Sequence, residues 1–421
     1  MKNGSDGRRR VVITGMGAIT PLGHNVEDYW QALAAGRSGI EKIRGIDAAG
    51  YPVHVAAEVK DFEPEQYIDR KDARRMARFS QFAVAAAQEA VSSAGLRPEE
   101  IEDPGRFGVL LGNGIGGFPN IDAGMRTVIE KGGMRLDPFF FLKSLPNMAA
   151  AHLSMRYGAK GYSSTICTAC AASTQAMGEA AEVIRRGHAD VMITGGTEAG
   201  ICELGMAGFS VMKVLSSHEE ADAPRASRPF DALRDGFVSA EGAGIFIIES
   251  LEHAQRRGAP VLAEIAGFAA TADAYHMVAP CVDGEGAARC IRYALDDAGV
   301  APEEVDYINA HGTSTQLNDA SETAAIKSAL GEHAYQVPVS STKSMIGHAL
   351  AASGALETIA CVKTLQTRVI HPTINYEHPD PDCDLDYVPE GARRGDVRVI
   401  LKNSFGFGGQ NACLVYRRFE G

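Results

Sequence analysis

Cys167 and Cys170 stand three apart in STICTACAASTQAMGEA, and two histidines, His311 in NAHGTST and His348 in KSMIGHALAASG, sit at junctions later in the chain. A thiol and two imidazoles are the parts of nucleophilic acyl transfer. Sulfur attacks a carbonyl, a ring nitrogen moves a proton, and free N–H groups hold the oxyanion. Cys170 falls where a strand gives way to a helix, and the first-turn N–H groups and helix dipole there favour a thiolate. Cys167 belongs to the incoming strand or turn and reads as packing. A zinc site needs further ligands, and the chain has no second Cys-x-x-Cys and no His-x3-5-His. A redox pair needs the helix to start at the first cysteine, whereas this one begins at or after Cys170.

A late loop, KNSFGFGGQNA, carries Gly406, Gly408 and Gly409 and allows close backbone approach, which suits a plain hairpin loop, a phosphate cradle or an oxyanion loop. No Gly-x4-Gly-Lys-Ser/Thr follows, so it is not a P-loop. GNGIGG, Gly112 to Gly117, only weakly mimics a dinucleotide fingerprint.

The elements that position these groups alternate. RRVVITGMGA reads as a buried strand, DARRMARFSQFAVAAAQEAVSSAG as an amphipathic helix ending at glycine, RFGVLLGNG and ADVMITGG as buried strands, and AGIFIIESLEHAQRRGA as a strand passing into a helix. Such alternation predicts an α/β fold. The second half repeats the plan. EEVDYINAHGTSTQ matches RFGVLLGNGIGG, QVPVSSTKSMIGHALAASG matches GYSSTICTACAAS, and VRVILKNS with NACLVYRR matches ADVMITGG with AGIFIIES. This is an internal duplication with a boundary near Ala259 to Ala263, dividing the chain into halves 1–260 and 261–421. It puts Cys170 and His348 at equivalent points, so two helix N-termini converge if the halves pack about a pseudo-twofold axis.

The bulk properties narrow the class. The 421 residues, 45% hydrophobic, suggest two core-forming units, and 46 glycines favour tight α/β packing. A net charge of -12 argues against bulk nucleic-acid affinity. No apolar run is long enough to span a membrane, and the basic start MKNGSDGRRR has no apolar stretch behind it for a secretory leader. Eight cysteines without a framework pattern predict reduced thiols in a cytoplasmic protein.

VVITGMGAITPLG, CTACAAS, DAYHMVAP, NAHGTSTQLND, SSTKSMIGHALAASG and NSFGFGGQN, in this order, resemble the β-ketoacyl-acyl carrier protein synthases, in particular the elongating type II enzymes of bacterial fatty acid synthesis. The resemblance runs from about Arg9 to the C-terminus. It implies the thiolase fold, two duplicated βαβαβαββ halves in a five-layered αβαβα sandwich, working as a homodimer. It implies that Cys170 is the nucleophile that takes the acyl chain. His311 and His348 would bind the malonyl thioester carbonyl and promote decarboxylation, and Lys343 would belong to the same site. Glu322 would pair with Lys343. Thr313 and Thr315 would hold the phosphopantetheine arm. The N–H groups of Cys170 and Phe407 would form the oxyanion hole, with Phe407 also gating the acyl tunnel and Ile115 lining it. Lys71, Arg74, Arg75 and Lys213 would dock an acidic acyl carrier protein. No metal and no other cofactor is implied.

The chain departs from the family's habit at Gln410, Gln316 and Phe141. Phe141, in DPFFFLKS, is implied to reach the partner's acyl tunnel and bears on chain length. A ketosynthase of a polyketide or other specialised pathway is the alternative. A non-catalytic chain-length subunit typically lacks the cysteine that is present here. A thiolase would want a second catalytic cysteine in the late glycine loop, which holds none. The initiating synthases pair Cys and His with Asn, where this chain has His348.

Overall fold

The computed structural model describes residues 8–218 and 220–420. The stretch Met1–Gly7, read above for a leader, lies outside the described residues. Ten strands make the main sheet: β1 (Val11–Ile19), β2 (Phe107–Gly112), β3 (Ser163–Ile166), β4 (Val191–Glu198), β5 (Gly242–Ser250), β6 (Ala263–Ala272), β7 (Tyr307–Asn309), β8 (Val339–Ser340), β9 (Val399–Gly406) and β10 (Gln410–Arg417). Their order is β8-β7-β9-β10-β6-β1-β5-β4-β2-β3. Each strand of the first half has a counterpart five numbers later, so β1-β5-β4-β2-β3 mirrors β6-β10-β9-β7-β8. Pairing is parallel along β4-β2-β3 and β9-β7-β8 and antiparallel elsewhere. The halves join at one seam, where Val11, Val12 and Ile13 pair antiparallel with Ile265, Glu264 and Ala263.

Six helices cover the sheets: α1 (Arg78–Ser93), α2 (Met148–Tyr157), α3 (Ala172–Arg185), α4 (Glu285–Ala298), α5 (Gln316–Leu330) and α6 (Ser353–Thr367). α1 and α2 pack on the outer face of the first half, and α4 packs on the second half with α5 beside it. α3 and α6 touch each other and strands of both halves, so they form the middle layer of five. The core divides accordingly, with one apolar cluster under α1 and α2, one around α3 and α6, and one under α4 and α5. The long amphipathic stretch breaks into a short helix Arg70–Ala73 and α1, which ends one residue before Ala94 and Gly95.

The middle helices explain their own composition. Every residue from Ser353 to Val362 of α6 is buried. A helix without a solvent face carries no amphipathic stripe, and small residues let it approach its neighbours. A Cβ on Gly354 would lie 2.1 Å from Thr174 Oγ1 of α3.

Gly354→Ala therefore overpacks this crossing despite alanine's better helix propensity. We expect a loss of about 1–3 kcal/mol in urea unfolding, where an exposed helical Gly→Ala would gain.

Candidate active site

Both middle helices open the same way. A single turn, Ala169–Ala171 before α3 and Leu350–Ala352 before α6, begins on a non-glycine residue with positive φ, +48° at Ala169 and +46° at Leu350. The left-handed backbone at Ala169 is a sharp, strained bend that presents the next side chain, Cys170. Measured from these turns, the counterpart of Cys170 is Ala351, and the counterpart of His348 is Cys167. The equivalence of Cys170 and His348 read from the sequence is thus corrected by three positions. The insertion of a short helix, Lys343–Ile346, between β8 and the second turn hid the offset. Cys167 is exposed, with its Sγ 3.2 Å from the Gly114 carbonyl.

Cys170 Sγ lies 3.0 Å from His348 Nε2, and all three groups of the set, Cys170, His311 and His348, are buried. The two imidazoles meet edge to face with centroids 5.4 Å apart. Their donor atoms and the sulfur lie within 4.8 Å of one another, a spacing that a three-ligand metal site also shows. The ammonium of Lys343, 3.3 Å from His311 Nδ1, opposes a dication there.

An ammonium only donates, so His311 Nδ1 accepts and the ring proton sits on Nε2. Lys343 Nζ also donates to the His311 carbonyl at 2.6 Å and pairs with Glu357 of α6. This corrects the expected pairing of Lys343 with Glu322. Glu322, on α5, instead accepts the backbone N–H groups of His311 at 2.8 Å and Gly312 at 2.7 Å. Its oxygens are saturated under the β7 loop and hold the His311 backbone rather than the lysine. His348 Nδ1 lies 2.9 Å from Ser353 Oγ, and the His348 backbone N–H donates to the Val238 carbonyl at 2.7 Å.

Burial, then the positive charge of Lys343, holds both imidazoles well below the ordinary histidine range, so they are neutral at pH 7. Burial also pushes the Cys170 thiol up to about 12, against the pull of Lys343 and of the Phe407 and Cys170 N–H groups. The helix-start thiolate expected from the sequence is therefore a thiol at rest, because desolvation outweighs the dipole. The two N–H groups face the sulfur all the same. The glycine loop allows this approach, since a Cβ on Gly406 would meet the Thr168 carbonyl at 2.7 Å and the Cys170 nitrogen at 3.2 Å.

A cleft of about 390 Å3 leads to the sulfur, with Thr313, Thr315, Gln316, Phe407 and Lys213 among its walls. The Thr313 and Thr315 hydroxyls lie 2.9 Å apart. Ile115 packs behind Cys170 in an apolar cluster with Met206, Phe237 and Leu350. Phe141 is 75% exposed on the short helix Phe140–Ser144 and does not reach this cleft. Lys71, Arg74 and Arg75 line a separate shallow groove with Phe139, over which the Arg75 guanidinium lies at 5.1 Å.

Four residues escaped the sequence reading: Glu357, Lys402, Ser353 and Glu198. Glu357 and Lys402 left a signal, each being the single charge in an apolar stretch, GALETIACV and VILKNSF. Glu198, buried at the end of β4, accepts the Gly114 N–H at 2.9 Å.

Comparison with known proteins places this geometry. Residues 8–254 match the family described as beta-ketoacyl synthase, N-terminal domain, and residues 262–377 its C-terminal domain. The 3-oxoacyl-[acyl-carrier-protein] synthase 2 of Synechocystis sp. is 49% identical over 413 residues, covering 98% of this chain and 99% of the relative. That of Staphylococcus aureus (strain COL) is 48% identical over 412 residues, with 98% and 99% covered. Among solved structures, the ishigamide ketosynthase/chain length factor superposes with a TM-score of 0.92 at 38% identity, covering 98% of this chain and all (100%) of that one. A type II PKS acyl-carrier protein in complex with its ketosynthase bound to the hexaketide gives 0.88 at 41% identity, with the same 98% and 100% covered.

Burial raises the Glu322 carboxyl to about 7 and Glu198 to about 8, from an ordinary 4.5. A carboxyl whose pKa is raised by folding destabilises the native state progressively as pH climbs from the unfolded to the folded value. Stability should thus fall by a few kcal/mol between about pH 5 and 8. Glu198→Gln, compared with wild type by denaturant unfolding across that window, should show a flatter decline.

Proposed function

The chain belongs to the β-ketoacyl synthase family, and we propose that it is a 3-oxoacyl-acyl carrier protein synthase in which Cys170 carries the growing acyl chain of fatty acid elongation. The observation that carries the residue assignment is the contact of Cys170 Sγ with His348 Nε2 at 3.0 Å, with His311 facing the same space.

The reaction runs in two halves. In the first, Cys170 sulfur attacks the thioester carbonyl of an acyl carrier. A carbon–sulfur bond forms to Cys170 and the bond to the pantetheine sulfur breaks. The thiol proton passes through His348 Nε2 to the departing thiolate. Because the thiol is at rest protonated, this transfer is needed, and the Ser353 hydroxyl accepts from Nδ1–H while Nε2 is the acceptor. In the second half, malonyl carrier binds and its carboxylate leaves as CO2. The electron pair becomes an enolate, whose oxygen takes hydrogen bonds from Nε2–H of His311 and of His348. Between the halves the His348 ring proton is lost from Nδ1 and regained at Nε2 by exchange with solvent, and the Ser353 hydroxyl then donates to Nδ1. The enolate carbon attacks the acyl-cysteine, the oxyanion rests on the N–H groups of Cys170 and Phe407, and Cys170 leaves as a thiolate that takes up a proton. Each such donor contributes about 3–4 kcal/mol. Every step balances without an electron acceptor or a metal.

Thr313 and Thr315 line the cleft and suit the amide-bearing arm of the carrier. Lys213 at the same cleft, and the Lys71, Arg74 and Arg75 groove, suit an acidic carrier surface. Two features support a homodimer. β3 is an edge strand, and the helix Phe118–Lys131 exposes Met125, Val128 and Ile129. Phe141 is exposed on the short helix that packs against this one, where a partner subunit would cover it. Among the described residues no helix is long and apolar enough to cross a membrane. We place the enzyme in the cytoplasm with its carrier.

A ketosynthase of a specialised pathway is the second reading, favoured by the two solved neighbours at 38% and 41% identity, against 48–49% for the elongation enzymes. Acyl carriers of graded length offered with malonyl carrier, and products weighed by mass spectrometry, separate the two. One two-carbon extension across long saturated acyl chains supports elongation, while repeated unreduced extension of a short starter supports the other. Cys170→Ala should abolish condensation with the fold intact, and retained elongation in that variant would refute the assignment. His311→Ala should cut malonyl decarboxylation at least about 100-fold. Ile129→Arg should shift sedimentation toward a monomer.

A further inference from the structure

Lys402 of β9 is fully buried, and no step above uses it. Its Nζ has Glu357 Oε2 at 2.8 Å, Thr174 Oγ1 at 2.9 Å, the Asn403 carbonyl at 3.0 Å and the Ser404 hydroxyl around it. Four oxygens, one of them a carboxylate's, surround three ammonium protons, which is an environment for the charged form. Burial lowers the Lys402 pKa, and Glu357 raises it again.

The contacts lead to both reacting groups. Thr174 belongs to the first turn of α3, four residues after Cys170. The other oxygen of Glu357 takes Lys343, which holds His311. The charged groups around the triad can be summed by element. Lys343 comes from the short helix after β8, Lys402 from β9 and Glu357 from α6. Glu322 of α5 and Glu198 of β4 are carboxyls shifted toward the neutral form. Lys213, Asp235 and Asp273 stand in the walls of the cleft. Closest to His311, the two lysines Lys343 and Lys402 share the single carboxylate of Glu357.

We propose that Lys402 is a positioning residue whose ammonium serves as a built-in cation: it fixes Glu357, and through it Lys343 on His311, and adds a fixed positive charge to the dry pocket. The inference rests on Cys170 being the nucleophile. The reaction passes through a thiolate, a tetrahedral oxyanion and an enolate, and a fixed positive charge in a low-dielectric site stabilises each of them. The same charge keeps both imidazoles neutral, the form that donates from Nε2. An oxygen cage emptied of its ammonium is, in turn, a site for a small monovalent cation.

Lys402→Met and Lys402→Ser test this. Cys170 alkylation by iodoacetamide is read at fixed pH without substrate, and malonyl-carrier decarboxylation is read against pH. Both are run in ammonium, potassium or tetramethylammonium chloride. Loss of the charge raises the pKa of the thiol and of the imidazoles alike. In Lys402→Met, alkylation should slow about tenfold and the acid limb of decarboxylation should move up by about one pH unit in every salt. Lys402→Ser should behave likewise in tetramethylammonium, which is too large for the cage, and recover in ammonium or potassium. If Lys402→Met does not fold, Lys402→Ser purified in ammonium chloride carries the same comparison. Unchanged alkylation and an unmoved acid limb in folded variants, or activity lost without either shift and without salt rescue, would overturn the proposal. Alkylation needs no carrier, so its outcome stands apart from whether wild type elongates fatty acids.

Discussion

Two helices lying between two sheets are buried along most of their length, and everything at the site follows from that constraint. α3 and α6 must be small and apolar to fit, as Gly354 against Thr174 shows. Because they pack together, their opening turns meet, and the groups carried there become neighbours across 178 residues of chain. The same burial removes water from the junction. Hydrogen-bond donors and fixed charges inside it act at full strength, and any ionisable group placed there must be matched.

Burial without compensation would give an inert thiol and two idle imidazoles. The compensation is a short chain of charge from Lys402 through Glu357 and Lys343 to His311. Its partners come from β9, α6, the short helix after β8 and the β7 loop, so the chain also stitches the second half to the floor of the site. Glu357 is the member on which the two lysines depend. Removing one partner of a buried pair typically costs about 3–5 kcal/mol, because a charge is left without its counter-charge.

The fold was legible in the sequence because its signals are local and repeated. Apolar runs ending in glycine gave the strands, and their recurrence in the second half gave the paired sheet order. Cys170, His311 and His348 were legible because each lies beside a glycine or a strand end. Lys343 was legible, but its partner was not. Glu322 and Glu357 both lie on helices within reach of the site, and only the direction in which α5 and α6 face decides between them. The thiol's protonation was misjudged for a related reason: a helix start is a local feature, while desolvation depends on every layer packed around it. The offset between Cys170 and His348 was lost because the connection after β8 is longer than the one after β3.

Ala169 and Leu350 strain the backbone in the same way, yet only Ala169 is followed by a thiol. The chain keeps two copies of one turn and divides their labour: one presents sulfur and the other, three residues upstream of the position that would have matched it, lends a ring nitrogen. Within a single polypeptide each copy is free to drift while its twin is held in place. What holds it is the three-residue seam of β1 and β6 together with the packing of α3 against α6. A slip of that register by one residue would leave every local element intact, and each half would still look well made. The sulfur would no longer meet the ring nitrogen, so the narrowest join of the sheet is also an alignment gauge.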